Sequence, residues 1–412
     1  MKISILIPTR DRLTLLRRAV DSVLRLEEPD CEIVVSDNAS EQDVGAWVDS
    51  LGDPRIVYTR TPESVPVTEN WNNALAHSSG DYLIMLGDDD ALLDGYFSRV
   101  RDLLGRFQRP QVIYHNALVY AYPGVVPEEP GGFLRSEGYA EFLREAHDPF
   151  LLDKATRSAM VSAAIGFRVR YGFNMQFVTI ARSIVQELSA DGPFFRSPFP
   201  DYFAMNRLFL RAHTILADPQ PAVVIGVSPR SYGFFHNNRQ ETEGRSFLQA
   251  GREERHAGPA LLPGTNINDG WLEAMSELHA AEGSTPPPDY RRYRRLQIAY
   301  VYEGRYLRGT IGERERRQLA RMLSPSERLL FGAAFHALAV IARLLPERGR
   351  ARIPAVLQLL QRQFPAWDPI RDESSYEDIG AVVAMVDPTR EPLRWQQPRR
   401  SGLRARLVAR LG

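Results

Sequence analysis

The first 120 residues alternate short apolar runs with segments in which apolar residues recur every three to four positions. The runs predict buried strands, and the segments predict amphipathic helices. Strands are expected at 3–7, 32–36, 55–58, 82–86 and 112–120, and helices at 13–24, 70–77 and 91–107. This alternation favours an α/β fold in which helices flank a mostly parallel sheet.

After residue 120 helical patterns prevail, interrupted by an aromatic, proline-rich stretch at 192–200 and a β-rich run at 222–227. Ser324 to Glu327 reads as a capping box with proline at the first helical position, and it predicts a helix over 328–345. We expect three parts: a domain over 1–240, a linker region over 241–288, and a mainly helical region over 289–412 with an arginine-rich tail.

The composition of the chain excludes several kinds of partner, site and targeting segment. The formal net charge is zero, so no overall field attracts nucleic acid, and we expect no nucleic-acid partner. The single cysteine, Cys31, excludes an internal disulfide and a cysteine-rich zinc site, and it fits a reducing compartment. The apolar run 3–7 is too short for a signal peptide, and 329–342 is shorter than the roughly twenty residues of a membrane span. A cytoplasmic protein is therefore expected.

Polar residues follow three of the predicted strands. The first strand leads into Pro8 to Arg12, the second into Ser36 to Ser40, and the fourth into Gly87 to Asp90. In open α/β sheets ligands bind outside the carboxyl ends of the strands. These three acidic and hydroxyl-rich strand ends therefore predict a ligand site.

The same residues carry a resemblance to a known family. Ile3–Thr9, Ile33–Ser40 and Tyr82–Asp90, in this order and spacing, resemble the opening strand, the second strand with its turn, and the acidic motif of glycosyltransferase family 2. Members of that family have the GT-A fold. The resemblance covers roughly 1–120 well and 190–240 weakly. It implies that 1–120 binds a nucleotide sugar and that 121–240 supplies the acceptor side and the catalytic base.

A divalent metal site is also implied by the resemblance. Asp89 and Asp90 would lie in the shell of a Mn²⁺ or Mg²⁺ ion that stabilises the leaving diphosphate, and Asp88 would contact ribose or metal. Gly87 stands where an acidic residue is commoner, which leaves the division of roles among the three carboxylates open. In the alternative interpretation, Asp90 only caps a helix that begins near Ala91.

Nucleotide contacts are assigned in the same way. Asp37 falls where the family recognises the nucleobase, and a carboxylate can accept the N3–H of uracil or thymine. Pro8, Thr9 and Arg10 form the loop that reaches the nucleotide, and Arg10 could pair with phosphate. The alternative for Asp37 is a turn built with Ser40.

A polar helix precedes the acidic strand. Asn72 matches the family's asparagine and is expected to touch donor or acidic motif, whereas Trp71 stands in place of a frequent arginine. The diphosphate charge must then be met by the metal, by Arg10 or by a later residue. The alternative is a solvated asparagine.

Two later residues complete the implied site. Asp201, at the start of a helix after the loop 192–200, is the candidate general base, with a helix cap as the alternative. His236, in a loop after the β-rich run, is a candidate third metal ligand, with a structural role as the alternative.

The carboxy-terminal region allows two interpretations. The apolar helix over 328–345 and the tail over 399–410 either pack on the core or rest on an anionic membrane surface. The second would place the protein peripherally on the inner face of the cell membrane and would suit a lipid-linked acceptor.

The resemblance thus implies an inverting transfer of a sugar from a nucleotide diphosphate, UDP or dTDP, to a hydroxyl of a glycan, polysaccharide or glycolipid. One alternative is a nucleotide-sugar-binding or scaffold protein without activity. Another is a nucleotidyltransferase, which is disfavoured because Pro8 to Arg12 contains no glycine to cradle phosphate.

Overall fold

The computed structural model describes residues 1–127, 129–136, 140–144, 146–249, 259–346, 353, 370–372 and 376–386. Its strands are β1 Ile3–Thr9, β2 Cys31–Asp37, β3 Ile56–Arg60, β4 Tyr82–Met85, β5 Ala91–Leu92, β6 Val112–Ala121, β7 Phe133–Ser136, β8 Phe150–Leu151, β9 Val178–Ala181, β10 Ile215–Val227 and β11 Ile370–Asp372.

Helices lie between and after these strands. They are α1 Leu13–Leu24, α2 Val44–Leu51, α3 Val67–Ala76, α4 Tyr96–Arg106, α5 Lys154–Ile165, α6 Arg182–Leu188, α7 Pro200–Arg211, α8 Tyr232–Asn237, α9 Glu241–Phe247, α10 Ile267–Glu282, α11 Tyr290–Glu303, α12 Glu313–Met322, α13 Pro325–Leu344 and, numbered in the order described, α14 Ile379–Met385.

One sheet organises the fold, with the strand order β11-β7-β6-β9-β4-β1-β2-β3 and with β10 alongside β6. The long pairings, β1 with β2, β2 with β3, β1 with β4 and β6 with β10, are parallel. Short antiparallel pairings join β9 to β4 and β6, and β5 and β8 to β10. The predicted α/β class with a mostly parallel sheet is confirmed.

The helix predicted from Ala91 begins later than expected. Ala91 and Leu92 form β5, which pairs antiparallel with Val224 and Val223 of β10, and α4 begins only at Tyr96. Because its pairing partner lies more than a hundred residues away in the chain, local periodicity could not reveal this strand.

The segment expected to be a linker, 241–288, is packed in its described part. It includes α9 and α10, and Trp271 of α10 is fully buried, with its indole N–H donating to the carbonyl of Ala164 at 2.7 Å. Helix α10 packs on α7, which lies in the segment 1–240. A large apolar side chain on this face draws the segment into the common core.

The described part of the carboxy-terminal region is mainly helical, as predicted. The capping box of α13 is present, since the Ser324 amide donates to the Glu327 carboxylate at 2.8 Å and the Glu327 amide donates to the Ser324 hydroxyl at 3.2 Å. Helix α14 returns to pack against α1 and β5. In the part of the chain that the structure describes, no helix is both long and apolar enough to cross a membrane.

Candidate active site

The strand order brings the three polar strand ends together. Thr9 at the end of β1 pairs in register with Asp37 at the end of β2. On the other side of β1, Leu6 pairs with Met85 of β4, and the chain then enters the acidic loop 86–90. The loops 8–12, 37–40 and 86–90 therefore share one edge of the sheet.

Asp88 is fully buried and lies among hydrogen-bond donors. It accepts from the hydroxyl of Thr9 at 2.7 Å and from Nε of Arg12 at 3.0 Å, and its other oxygen forms an ion pair with the Arg12 guanidinium. Burial raises the pKa of Asp88, while the positive charge of Arg12 opposes that rise. Burial has the larger effect, so the pKa of Asp88 is raised to about 6, and Arg12 limits this rise.

Asp89 lies between two elements. Its Oδ2 accepts from the hydroxyl of Ser228 at 2.6 Å and from Arg12 at 3.4 Å. Ser228 directly follows β10, which runs parallel to β6 and also pairs with β5 behind the acidic loop. The second half of the sheet therefore contributes to the acidic site.

Asp90 has a different environment. Its Oδ2 accepts from the Gly87 amide and from the side chain of Gln176, each at 2.7 Å, and its Oδ1 accepts from the Gly226 amide at 2.8 Å. Burial and the charge of Asp89 raise the pKa of Asp90. Because α4 begins at Tyr96 behind the N-cap Gly95, Asp90 caps no helix there. Asp90 binds the loop to its neighbours, and its metal role stays a prediction.

Two glycines allow this close packing. A Cβ on Gly226 would lie 1.8 Å from the carbonyl oxygen of Asp89, and a Cβ on Gly87 would lie 2.5 Å from Oδ2 of Asp90. Any side chain at either position would displace the acidic loop. This explains why glycine stands at position 87 instead of the commoner acidic residue.

Asp37 is fully buried and has three donors. Its Oδ1 accepts from the Ser40 amide at 2.9 Å, and its Oδ2 accepts from the Tyr58 hydroxyl at 2.9 Å and from Arg60 at 2.6 Å. The turn with Ser40 is thus present, as the alternative interpretation expected. The nucleobase contact remains a prediction.

The other nucleotide candidates are arranged as follows. Pro8 and Thr9 are the last two residues of β1, and the hydroxyl of Thr9 donates a hydrogen bond to Asp88 of the acidic loop. Arg10 is partly buried and reaches the carbonyl of Phe247 at 3.5 Å. Asn72 does not touch the acidic motif, because its amide exchanges two hydrogen bonds with the backbone of Phe195 at 2.9 and 3.2 Å. Asn72 instead fixes the aromatic segment before α7.

Asp201 lies in the first turn of α7, behind the N-cap residue Phe199, so it is not the cap. Among the described residues its carboxylate has one hydrogen-bond donor, the amide of Tyr202 at 3.0 Å. Desolvation raises the pKa of Asp201 to about 7. Helix α7 packs against the turn 175–177, which carries the Gln176 that donates to Asp90. The candidate base and the acidic loop are thus connected through one turn.

His236 lies beside a carboxylate outside the acidic loop, and its role as a metal ligand stays a prediction. The expected loop is helix α8, and the imidazole Nδ1 lies 3.2 Å from the buried carboxylate of Glu241. Within the described ranges, no three His, Cys, Asp or Glu side chains are grouped as a metal site. The pairing with Glu241 corresponds to the structural interpretation.

The remaining donor set still suits a hard divalent cation. Asp88 and Asp89 offer carboxylate oxygens, with the hydroxyls of Thr9 and Ser228 beside them. Mg²⁺ and Mn²⁺ prefer oxygen ligands, and one or two carboxylates suffice when substrate phosphates and water fill the other positions. The residues therefore fit the implied metal.

Three residues of this site received no role in the sequence analysis: Arg12, Gln176 and Ser228. Arg12 lies in the loop after the first predicted strand, so its position in the sequence already indicated a place at the ligand site. Gln176 and Ser228 lie 86 and 139 residues from their partners in the acidic loop, and no local pattern marks them.

The chain is similar to known proteins in sequence and in structure. A β-1,3-glucosyltransferase of Campylobacter jejuni, named for GalNAc(5)-diNAcBac-PP-undecaprenol, is 38% identical over 101 residues, which are 24% of this chain and 32% of the relative. The abequosyltransferase RfbV of Salmonella typhimurium is 34% identical over 98 residues, 22% of this chain and 29% of the relative. The matched part spans about a third or less of the curated relatives.

Among solved structures, S. aureus TarS 1-349 in complex with UDP-GlcNAc is similar with a TM-score of 0.48 and 11% identity, covering 88% of this chain and 90% of that one. The family model described as Glycosyl transferase family 2 matches residues 4–139. The predicted resemblance to glycosyltransferase family 2 is therefore confirmed over residues 4–139.

Proposed function

We propose that this protein is an inverting glycosyltransferase, which moves a sugar from a nucleotide diphosphate, UDP or dTDP, to an acceptor hydroxyl. The observation that carries this proposal is the gathering of Thr9, Asp88 and Asp89 at one sheet edge, inside the segment that matches the family model. The two alternatives, a scaffold protein and a nucleotidyltransferase, have no comparable support.

In this proposal the donor binds at the same sheet edge. Asp37, at the end of β2, would meet the base, and Thr9 and Arg10 would line the path of the ribose and diphosphate. Asp88 and Asp89 would hold Mn²⁺ or Mg²⁺, which when bound supplies positive charge to the departing diphosphate. Ser228 orients Asp89 through its 2.6 Å hydrogen bond.

The base is Asp201 in this proposal. Its carboxylate takes the proton of the acceptor hydroxyl while that oxygen forms a bond to the anomeric carbon. The bond from this carbon to the diphosphate oxygen breaks with its electron pair, and the configuration at the carbon inverts. A pKa of about 7 suits the task, because general bases work best when their pKa lies near the working pH.

A glycan or lipid-linked acceptor is proposed from two observations. The C. jejuni relative is named for an undecaprenol-linked substrate. In addition, α13 exposes Leu329, Leu330 and Leu344, with exposed fractions of 74%, 68% and 81%. An exposed apolar face on a helix can rest on a membrane surface, which would bring the enzyme to such an acceptor.

Ligand binding tests the proposal directly. Thermal shift or calorimetry should be run with UDP, dTDP, GDP and CDP, each with and without Mn²⁺. We expect metal-dependent stabilisation by UDP or dTDP, since a ligand that binds the native state raises its stability. No response to any nucleotide would contradict the donor site. The anomeric configuration of the product, read by NMR, then tests inversion.

A further inference from the structure

Arg12 occupies the centre of the acidic site. Its guanidinium contacts Asp88 through Nε at 3.0 Å and through a terminal nitrogen, and it reaches Asp89 at 3.4 Å and the Ser228 hydroxyl at 3.5 Å. The Arg12 side chain is 15% exposed and the Asp88 side chain is fully buried. A cation of the chain itself therefore already offsets part of the negative charge of the two carboxylates that fit a divalent ion.

The backbone of Arg12 is anchored while its side chain spans the site. Arg12 is the N-cap residue of α1, and its carbonyl accepts from the amides of Leu15 and Leu16 at 3.0 Å each. Helix α1 is bound to the core by residues such as Leu16 and Val20, which are fully buried. Movement of the guanidinium away from the carboxylates would therefore leave this backbone anchor in place.

Simultaneous binding of a metal ion and of Arg12 to these carboxylates is electrostatically unfavourable. Oδ2 of Asp88 accepts from Thr9 and Arg12, Oδ1 of Asp88 forms an ion pair with Arg12, and Oδ2 of Asp89 accepts from two groups. A divalent ion at the same oxygens would lie within a few ångströms of the guanidinium and repel it. A guanidinium released from carboxylates binds phosphate well, because its fork matches two phosphate oxygens.

We propose that Arg12 is an intramolecular counter-ion that competes with the divalent metal for Asp88 and Asp89 and moves to the donor's diphosphate when metal and nucleotide bind. This inference rests on the proposed function. In the nucleotide-free protein Arg12 then weakens metal binding, and nucleotide strengthens it by giving Arg12 another anionic partner. Arg12, at the end of the first strand, would thus take the place of the arginine that is frequent in the family at the position of Trp71.

Metal affinity without nucleotide is the decisive measurement. Mn²⁺ binding should be followed by electron paramagnetic resonance in wild type, Arg12→Met and Arg12→Lys. We expect Arg12→Met to bind Mn²⁺ about tenfold more tightly, within the range of ordinary coupling between two sites, and Arg12→Lys to be intermediate. Equal or weaker binding by Arg12→Met would overturn the proposal.

A matched control is Arg99→Met. Arg99 forms a similar two-bond pair with a buried carboxylate, Asp218, at 2.8 and 3.1 Å, away from the acidic loop. Its replacement should leave Mn²⁺ affinity unchanged. An equal gain in both variants would mean that loss of any positive charge suffices, and this too would contradict competition at Asp88 and Asp89.

The melting temperatures of the same variants show whether they fold. Arg12→Met leaves buried carboxylates without their cation, so its melting temperature in EDTA should fall and Mn²⁺ should restore it more than it stabilises wild type. If Arg12→Met does not fold in EDTA, Arg12→Lys carries the test, and affinity equal to wild type would reject the proposal.

Adding UDP or dTDP separates the two hypotheses. Nucleotide should raise the Mn²⁺ affinity of wild type more than that of Arg12→Met. If nucleotide binds with Mn²⁺ but the variants have wild-type metal affinity, the counter-ion inference fails alone. If the variants differ in Mn²⁺ affinity but no nucleotide binds, the proposed function fails instead.

Discussion

The acidic loop 87–90 and the segment 193–201 both carry candidate aspartates, but the surroundings of these side chains differ. In the loop, each carboxylate has several donors, including Arg12 for Asp88 and Asp89 and two backbone amides for Asp90. In the segment, Asp201 has a single amide donor among the described residues, and desolvation raises its pKa to about 7.

The difference shows how one residue type can serve two chemical roles. Burial raises the pKa of Asp88 to about 6 and that of Asp90 to about 7, so the two regions differ in their partners more than in their pKa values. The loop carboxylates lie beside a cation and several hydrogen-bond donors, a polar setting in which a metal ion can bind. Asp201 has few partners and can exchange a proton near neutral pH, so we propose metal binding for the loop and proton transfer for the segment.

The largest effect is expected in the loop. Asp89→Ala removes a candidate metal ligand and leaves Ser228 and Arg12 without this partner, so turnover should fall by about 10³-fold or more. Steady-state kinetics with a Mn²⁺ titration provide the measurement. Asp102→Ala, on the exposed side of α4, is the control. Full activity and unchanged metal dependence in Asp89→Ala would disprove the assignment.

The next effect is expected in the segment. Asp201→Asn keeps the size of the side chain but removes the base, so kcat should fall by about 10²- to 10⁴-fold while nucleotide binding persists. Asp153→Asn, at the N-cap of α5, is the matched control, because asparagine caps a helix as well as aspartate does. A kcat near wild type for Asp201→Asn would exclude Asp201 as the base.

The pH dependence should distinguish the two regions further. Since the base acts deprotonated, kcat/KM should fall about tenfold per pH unit below an apparent pKa near 7. Asp201→Asn should abolish this limb, whereas Arg99→Met should keep it. An acid limb centred near pH 4 in the wild type would show that Asp201 is not desolvated in the working enzyme.

Stability should respond to pH in the opposite direction. The pKa of Asp201 is raised in the folded state above the ordinary value of 3.8, so the native protein binds this proton more tightly than the unfolded chain does. The contribution of Asp201 to stability therefore decreases as pH rises from about 4 through about 7. Asp201→Asn should raise the melting temperature more at pH 8 than at pH 5, and a gain that is equal at both would contradict this.

The smallest effect concerns the packing that supports the loop. Gly226→Ala would place a Cβ 1.8 Å from the Asp89 carbonyl oxygen and should destabilise the protein by about 1–3 kcal/mol in urea unfolding. Gly105→Ala in α4 is the control, because a Cβ at this position would meet no packed neighbour within 4 Å. This variant should stabilise the protein by about 0.5–1 kcal/mol. Equal stability of the two variants would contradict the close approach of β10 to the acidic loop.

Much of this architecture was predictable from local pattern. The apolar runs of β1, β2 and β4 and the period of α1 specify their own elements, and the polar residues after each strand could be assigned to one sheet edge. The same holds for the capping box of α13, which acts within four residues. These features depend on neighbours in sequence, so the sequence determined them by itself.

Tertiary structure alone decided the partners of the candidate site. β5 forms only because β10 supplies its backbone bonds, Asn72 is directed to Phe195 instead of the acidic motif, and His236 is paired with Glu241. Asp89 obtains its strongest donor from Ser228, 139 residues later. Which side chains meet across such distances depends on how the whole sheet closes and which groups it desolvates, and neither is encoded in a local pattern of polarity.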